Sequence, residues 1–210
     1  MASSSKENIL KKIREALSHP VPIPFPKSEG STSVYQPASD DLEILFAEEF
    51  TKLLGKFAFC LNEDDLARQL ESLLLENKWD NIFCAEEQLK SFVHQPLNTS
   101  SLADCEVAIT SCEYLIARTG SIVLSSAQKE GRATSVYAPV HICIAYTSQL
   151  VYDIKEALQL LKEKYPGQLP SSITFATGPS RTADIEKTLV VGVHGPKEVY
   201  LFLVDKPVTT

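Results

Sequence analysis

Residues 40–76, DDLEILFAEEFTKLLGKFAFCLNEDDLARQLESLLLE, change hydrophobic texture twice, and that change decides the fold. An acidic helical stretch closes on Gly55, the apolar run KFAFCL (56–61) reads as a strand, and Asn62 can cap a second helix. NIFCA (81–85), a short polar helix AEEQLKSF (85–92) and the strand CEVAIT (105–110) continue the alternation. Parallel neighbours need crossover connections, so strand and helix in turn predict a mostly parallel sheet with helices on both faces.

Beyond residue 110 the texture shifts. GSIVLSS (120–126), ATSVYAP (133–139) and PVHICIAY (139–146) stand close together, which predicts hairpins or an antiparallel edge. A helix follows in 147–167, with Thr147 or Ser148 as cap, Leu150, Ile154, Leu158 and Leu161 as its apolar face and Pro166-Gly167 as its end. SSITFATG (171–178) is a strand, and EVYLFLVD (198–205), apolar throughout, predicts a central one.

Upstream, Ile9, Ile13 and Leu17 recur every four residues on one thin helical stripe, and HPVPIPFPKSEGSTSVYQPASD (19–40) is rich in proline. Residues 1–40 therefore read as a helix and a proline-rich arm, and residues 41–210 as one α/β domain. The arm is either a tether over the domain surface or a docking segment for a partner.

Composition narrows the function. The chain has 210 residues, 44% hydrophobic and 22% charged, with no apolar run near the roughly 20 residues that span a bilayer. Its N-terminus lacks a secretory apolar core, so a cytoplasmic address is expected. The net charge of −7 disfavours nucleic acid and anionic membranes as partners and leaves room only for a local anion site. The five cysteines are scattered without a CxxC pair, which predicts buried apolar fillers and no metal site in this chain.

Chemistry concentrates in TGPSRTADIEKTLVVGVHGP (177–196). Gly178, Ser180, Arg181 and Thr182 stand at the carboxyl end of a strand and precede an expected helix; in open parallel sheets that edge binds ligands, free backbone N–H groups cradle an anion and Arg181 grips a carboxylate. Asp184 and Glu186 have two readings: acids that neutralise the helix start, or one carboxylate holding Arg181 while the other faces a pocket. His194, set between Gly192 and Gly195-Pro196, is expected to be exposed at a sharp bend, as a general base or as a turn-bonding histidine. His141 begins an apolar strand and reads as a sheet-end or core histidine. Arg118-Thr119-Gly120-Ser121 links an expected short helix to a strand and forms a second glycine-hydroxyl turn with an arginine. Walker and dinucleotide fingerprints are absent. Two such turns and a glycine-flanked histidine are the parts of a site for a small acid.

LIARTGSIVLSS (115–126), APVHICIA (138–145) and TGPSRTADIEKTLVVGVHGPKEVYLFLVD (177–205), in that order, resemble the lactate utilization protein C family, the LUD domain. The resemblance covers about residues 45–205 and implies a three-layer α/β/α fold of the NagB/RpiA/CoA-transferase-like group. It implies a part in bacterial oxidation of L-lactate to pyruvate, with iron–sulfur clusters on partner proteins and none in this chain. Carried over by residue, it points to Thr119, Gly120, Pro139, His141, Gly178, Ser180, Arg181, Thr182, Asp184, Glu186, Gly192, His194 and Gly195. Asp184, Glu186 and His194 then fall to catalysis. Arg118, Thr119, Gly120, His141, Gly178, Ser180, Arg181, Thr182 and Gly195 fall to substrate binding. Many relatives carry glutamate where this chain has Arg118, a charge reversal that bears on which acid is bound.

Moving two electrons from lactate needs a flavin, nicotinamide or metal cluster. The expected role is therefore a component that binds a small carboxylate, iron–sulfur subunits, or both, with a homo-oligomeric state left open. Two alternatives stand beside it. One is a stand-alone acyl or phosphoryl transferase or ligase, for which Glu113 and Glu186 are the nearest nucleophilic carboxylates; the other is a non-catalytic assembly module.

Overall fold

The computed structural model describes residues 5–18, 41–97, 102–129, 131–185, 188–192 and 194–205. The chain divides into two units, Met1–Pro37 and Ala38–Thr210. In the first, helix α1 (Ser5–Ser18) exposes Ile9 and Ile13 on its apolar stripe.

The second unit opens with helix α2 (Leu42–Lys52), strand β1 (Lys56–Cys60) and helix α3 (Glu63–Asn77). Asn62 caps α3 by accepting from the Asp65 N–H at 2.9 Å, and Glu63, Asp64 and Asp65 complement the dipole at its start. Leu66, Leu70 and Leu74 recur every fourth residue and are fully buried. Left-handed Lys78 ends the helix, and the next N–H, on Trp79, reaches back to the Leu74 carbonyl at 3.2 Å.

Strands β2 (Ile82–Cys84), β3 (Val107–Thr110), β6 (Val140–Tyr146) and β11 (Glu198–Val204) join β1 in a five-stranded sheet of order β1-β11-β6-β3-β2. Every pairing in it is parallel. As its unbroken apolar sequence predicts, β11 is interior. Helix α3 covers one face, where its leucines meet Ile109, Ile142, Ile144 and Phe202. The other face packs against Phe46 and Phe50 of α2 and against a second sheet, through Leu115, Ile122, Leu124, Leu201 and Leu203.

That second sheet has the order β7-β4-β5-β8, from β4 (Tyr114–Ile116), β5 (Ser121–Ser125), β7 (Leu150–Val151) and β8 (Ile173–Ala176). β5 runs antiparallel to β4 and β8, so GSIVLSS does lie in an antiparallel region, but PVHICIAY does not: it forms β6, which pairs in parallel with β3 and β11 inside the main sheet. Helix α6 (Ile154–Lys164) closes its far side with Ala157 and Leu161. The result is an α/β architecture built on a parallel sheet with helices around it.

Several local expectations are corrected. The expected helix after Arg181 is a hairpin of β9 (Arg181–Ile185) and β10 (Thr188–Val191), consistent with the strand preference of β-branched Thr182, Ile185, Thr188, Val190 and Val191. The cap of α6 is Asp153, whose carboxylate accepts from the Lys155 N–H at 3.0 Å, while Thr147–Gln149 forms a separate 3-10 turn. Thr134–Tyr137, in the segment read as part of a hairpin, is one helical turn, α5. The segment before Gly120 is strand β4 followed by a 3-10 turn, Ala117–Thr119, with no short helix. Helix α4 (Glu87–Lys90) is shorter than its sequence suggests. Among the described residues no helix is long and apolar enough to cross a membrane.

Candidate functional site

The two glycine turns come together on the exit of α2. At Gly120 φ is +58°, and a Cβ placed there would lie 2.4 Å from the backbone nitrogen of Phe50. At Gly178 φ is +89°, and a Cβ would lie 2.5 Å from the Leu53 carbonyl oxygen. Only glycine allows backbone to approach backbone this closely at positive φ. A run of hydroxyls links the turns: Thr119 Oγ1 and Ser121 Oγ lie 2.7 Å apart, and Ser121 Oγ reaches Thr177 Oγ1 at 3.4 Å.

Gly195 seats on the same corner, since a Cβ there would meet the Ser180 Cβ at 2.9 Å. The Ser180 N–H donates to the Pro196 carbonyl at 2.9 Å, and the Gly192 N–H donates to the Ser180 carbonyl at 3.0 Å. His194 and Arg181, each one residue from the Ser180–Gly195 contact, are exposed. Among the described residues, the Arg181 guanidinium donates through Nη2 to the Leu53 carbonyl. The Pro139 carbonyl holds the corner to the main sheet by accepting from Lys197 N–H at 2.7 Å and Glu198 N–H at 3.2 Å.

Several expected contributors are placed otherwise. Arg118 is engaged by Asp153, its Nε donating to Oδ2 at 2.7 Å. The Lys155 backbone N–H first, and Arg118 with it, hold the Asp153 carboxyl below its ordinary range. His141 is 1% exposed, with Nε2 at 2.8 Å from Thr110 Oγ1 and, among the described residues, no hydrogen-bond partner for Nδ1. Thr182 and Asp184 lie on β9, and Glu186 lies outside the described residues.

Burial pushes the His141 pKa down to about 4, and the sign of its linkage follows. Stability from the neutral ring is complete above the unfolded value near 6.5 and drains as pH falls from there to about 4. Its imidazole proton resonance should titrate near pH 4; a midpoint near 6.5 would contradict the burial.

The corner stands at the amino-terminal ends of β1, β6 and β11, whereas the sequence reading expected the carboxyl edge of a parallel sheet. Gly178 does follow a strand, but β8 belongs to the antiparallel part. The carboxyl edge holds a different group, which the sequence reading did not assemble. Glu86, just past β2, accepts at Oε1 from the Ser111 N–H at 2.8 Å, and at Oε2 from Ser111 Oγ at 2.5 Å and Gln88 Nε2 at 3.1 Å. Ser111 directly follows β3, and Gln128 Nε2 donates to its hydroxyl at 3.0 Å.

Glu113, 3% exposed, accepts from Ser125 Oγ at 2.5 Å, Tyr165 OH at 2.9 Å and Lys164 Nζ at 2.7 Å. Burial opposes its charge, but Lys164, Ser125 and Tyr165 outweigh that and keep the carboxyl below its ordinary range. So engaged, Glu113 offers no idle oxygen for the nucleophilic role weighed above. Apart from Ser125, the residues of this group line an open cleft of about 410 Å³ with Cys112, Ala127 and Lys129. The cysteines are all free and buried, and burial first, then the neighbouring Cys112, raises the Cys143 thiol well above its ordinary value. Among the described residues no three His, Cys, Asp or Glu side chains form a metal-holding group. The sequence offers only a partial signal for this edge: Ser111–Glu113 directly follow β3 and Glu86 comes just past β2, while the parallel pairing that brings them together is not written locally.

The LUD domain family model matches residues 94–204. A protein from Geobacillus kaustophilus called lactate utilization protein C is 34% identical over 142 residues, covering 64% of this chain and 57% of that one. Its namesake from Shouchella clausii is 36% identical over 141 residues, covering 61% and 62%. Another from Bacillus licheniformis is 36% identical over 112 residues, covering 52% and 47%. The matched part thus spans about half the length of such curated relatives. A crystal structure of a DUF162 family protein from Deinococcus radiodurans superposes with a TM-score of 0.57 at 18% identity, covering 78% of this chain and 96% of that one. That likeness speaks for the fold.

Proposed function

Because this chain belongs to the LUD domain family, we propose that it serves lactate utilization as a component that holds a small carboxylate while partner proteins carry the electrons. The observation that carries this reading is the set of relatives bearing the name lactate utilization protein C across the α/β domain. Chemistry divides the labour. Lactate becomes pyruvate by losing two electrons and two protons, and the electrons need a redox cofactor that iron–sulfur partners would supply.

In this reading the glycine corner holds the acid. Arg181 supplies the cation, the Ser180 hydroxyl a further donor, and exposed His194 a group that takes the hydroxyl proton at its ring nitrogen. Arg118 contributes by fixing the start of α6 through Asp153.

Two measurements test the proposal. Removing the gene should abolish growth on L-lactate, and unchanged growth would end the role. In a reconstituted system with iron–sulfur subunits, Arg181→Ala should lower kcat/KM by about 10- to 100-fold, the range of a lost charged hydrogen bond. Full activity of that variant would move the carboxylate elsewhere.

A further inference from the structure

We propose that the cleft at the carboxyl ends of β2 and β3 is a second binding site, taking a small molecule whose anionic group lies between Lys164 and Lys129. The inference stands apart from the lactate reading and from the glycine corner, which lies at the opposite ends of the parallel strands.

Four observations carry it. First, the cleft opens where ligands bind in α/β sheets, beyond the carboxyl ends of parallel strands. Its volume of about 410 Å³ falls in the range of small-molecule pockets, about 300–1,000 Å³.

Second, the acids of its floor are already answered. Glu86 and Glu113 each accept three hydrogen bonds, from Ser111 twice and Gln88, and from Ser125, Tyr165 and Lys164. On the rim, Glu87 is paired with Lys90 at 2.7 Å. A cationic ligand would find these acceptors occupied.

Third, the donors are not exhausted. The Lys164 ammonium has three N–H groups, one spent on Glu113 at 2.7 Å, and its side chain is 50% exposed. Buried Glu113 tethers that ammonium at the cleft wall. Lys129 is exposed on the rim. Fourth, Cys112, Ala127 and the Tyr165 ring give the cleft an apolar side, suited to a short carbon skeleton attached to the anion. Together these select a carboxylate or phosphate on a compact organic body.

The test is an amide-resolved NMR titration of the full chain with three probes, inorganic phosphate, pyruvate and L-lactate, each to about 20 mM, a range that captures millimolar affinity. The expected result is saturable shifts at Ser111, Cys112, Ala127, Gln128 and Tyr165 with at least one probe. Lys164→Met should weaken that binding about tenfold, and Arg181→Ala should leave it unchanged. If Lys164→Met loses its dispersed spectrum, the exposed Lys129→Met, outside the Glu113 network, takes its place with the same expectation. Shifts confined to Gly178, Ser180 and Gly195 and abolished by Arg181→Ala would overturn the cleft and leave the corner standing. No saturable shift at the cleft amides with any probe would overturn it as well.

Discussion

Gly120→Ala should lower the free energy of unfolding by about 2–6 kcal/mol, enough to consume much of the 5–15 kcal/mol of an ordinary domain. Two costs add. A left-handed backbone at φ +58° strains any residue with a Cβ by about 1–3 kcal/mol. The methyl group also meets the Phe50 nitrogen at 2.4 Å and the Phe50 Cα at 2.8 Å, both backbone atoms of a helix whose ring is fully buried. Backbone in a packed helix cannot turn aside as a side chain can, so overpacking costs about 1–3 kcal/mol more. Gly167→Ala is the control, because φ there is +81° but nothing lies within 4 Å of the new methyl. Urea unfolding of both variants separates strain from collision. Equal losses at the two positions would show that contact with α2 contributes nothing.

Glu113→Ala should cost about 3 kcal/mol at neutral pH, because it strips an acceptor from Ser125 and Tyr165 and a counter-charge from Lys164. Breaking a fully buried pair costs about 3–5 kcal/mol, but Lys164 is half exposed and recovers hydration, which holds the figure to the lower end. The pH dependence is the sharper test. The folded carboxyl titrates below its ordinary value, so the stability it brings is complete above the unfolded pKa, roughly 4.3, and is lost as pH falls through the folded value. Wild type and variant should therefore differ most near pH 7 and draw together below about pH 4. A gap that stays constant from pH 7 to pH 3 would mean that the variant acts through a cavity alone.

Period and capping were enough to read the framework. Leu66, Leu70 and Leu74 behind Asn62 specify α3, and the unbroken apolar run of β11 specifies an interior strand. The hairpin of β9 and β10 was harder. Asp184 after Ser180 and Thr182 imitates a helix start, and the β-branched residues that argue for strands are spread on either side of it. Single-residue capping signals were outweighed by the strand preference of a longer run.

The corner was legible in part, because glycines mark places where backbone meets backbone. Which backbone they meet is a long-range fact, and nothing local ties Gly120 or Gly178 to α2. The carboxyl-edge cleft was hidden for a related reason. Glu86, Ser111, Gln128 and Lys164 come from four separate segments, and none is an unusual residue in its own surroundings. Only the parallel pairing of β2 with β3 brings the first two side by side. Arg118 misled differently: its neighbour Asp153 is 35 positions away in the chain, so the salt pair that occupies it leaves no trace in the motif.

The Leu53 carbonyl serves two masters. It receives the guanidinium of Arg181, and it presses on the one spot where Gly178 can tolerate no methyl. Any acid that draws Arg181 toward itself must leave that oxygen without this donor at the very end of α2, shortly before the chain enters β1. Occupancy of the corner would then register as a loosening of the helix terminus, and hydrogen exchange at the amides of Leu53 and Leu54, whose own bonds reach back to Phe50 and Thr51, would report it.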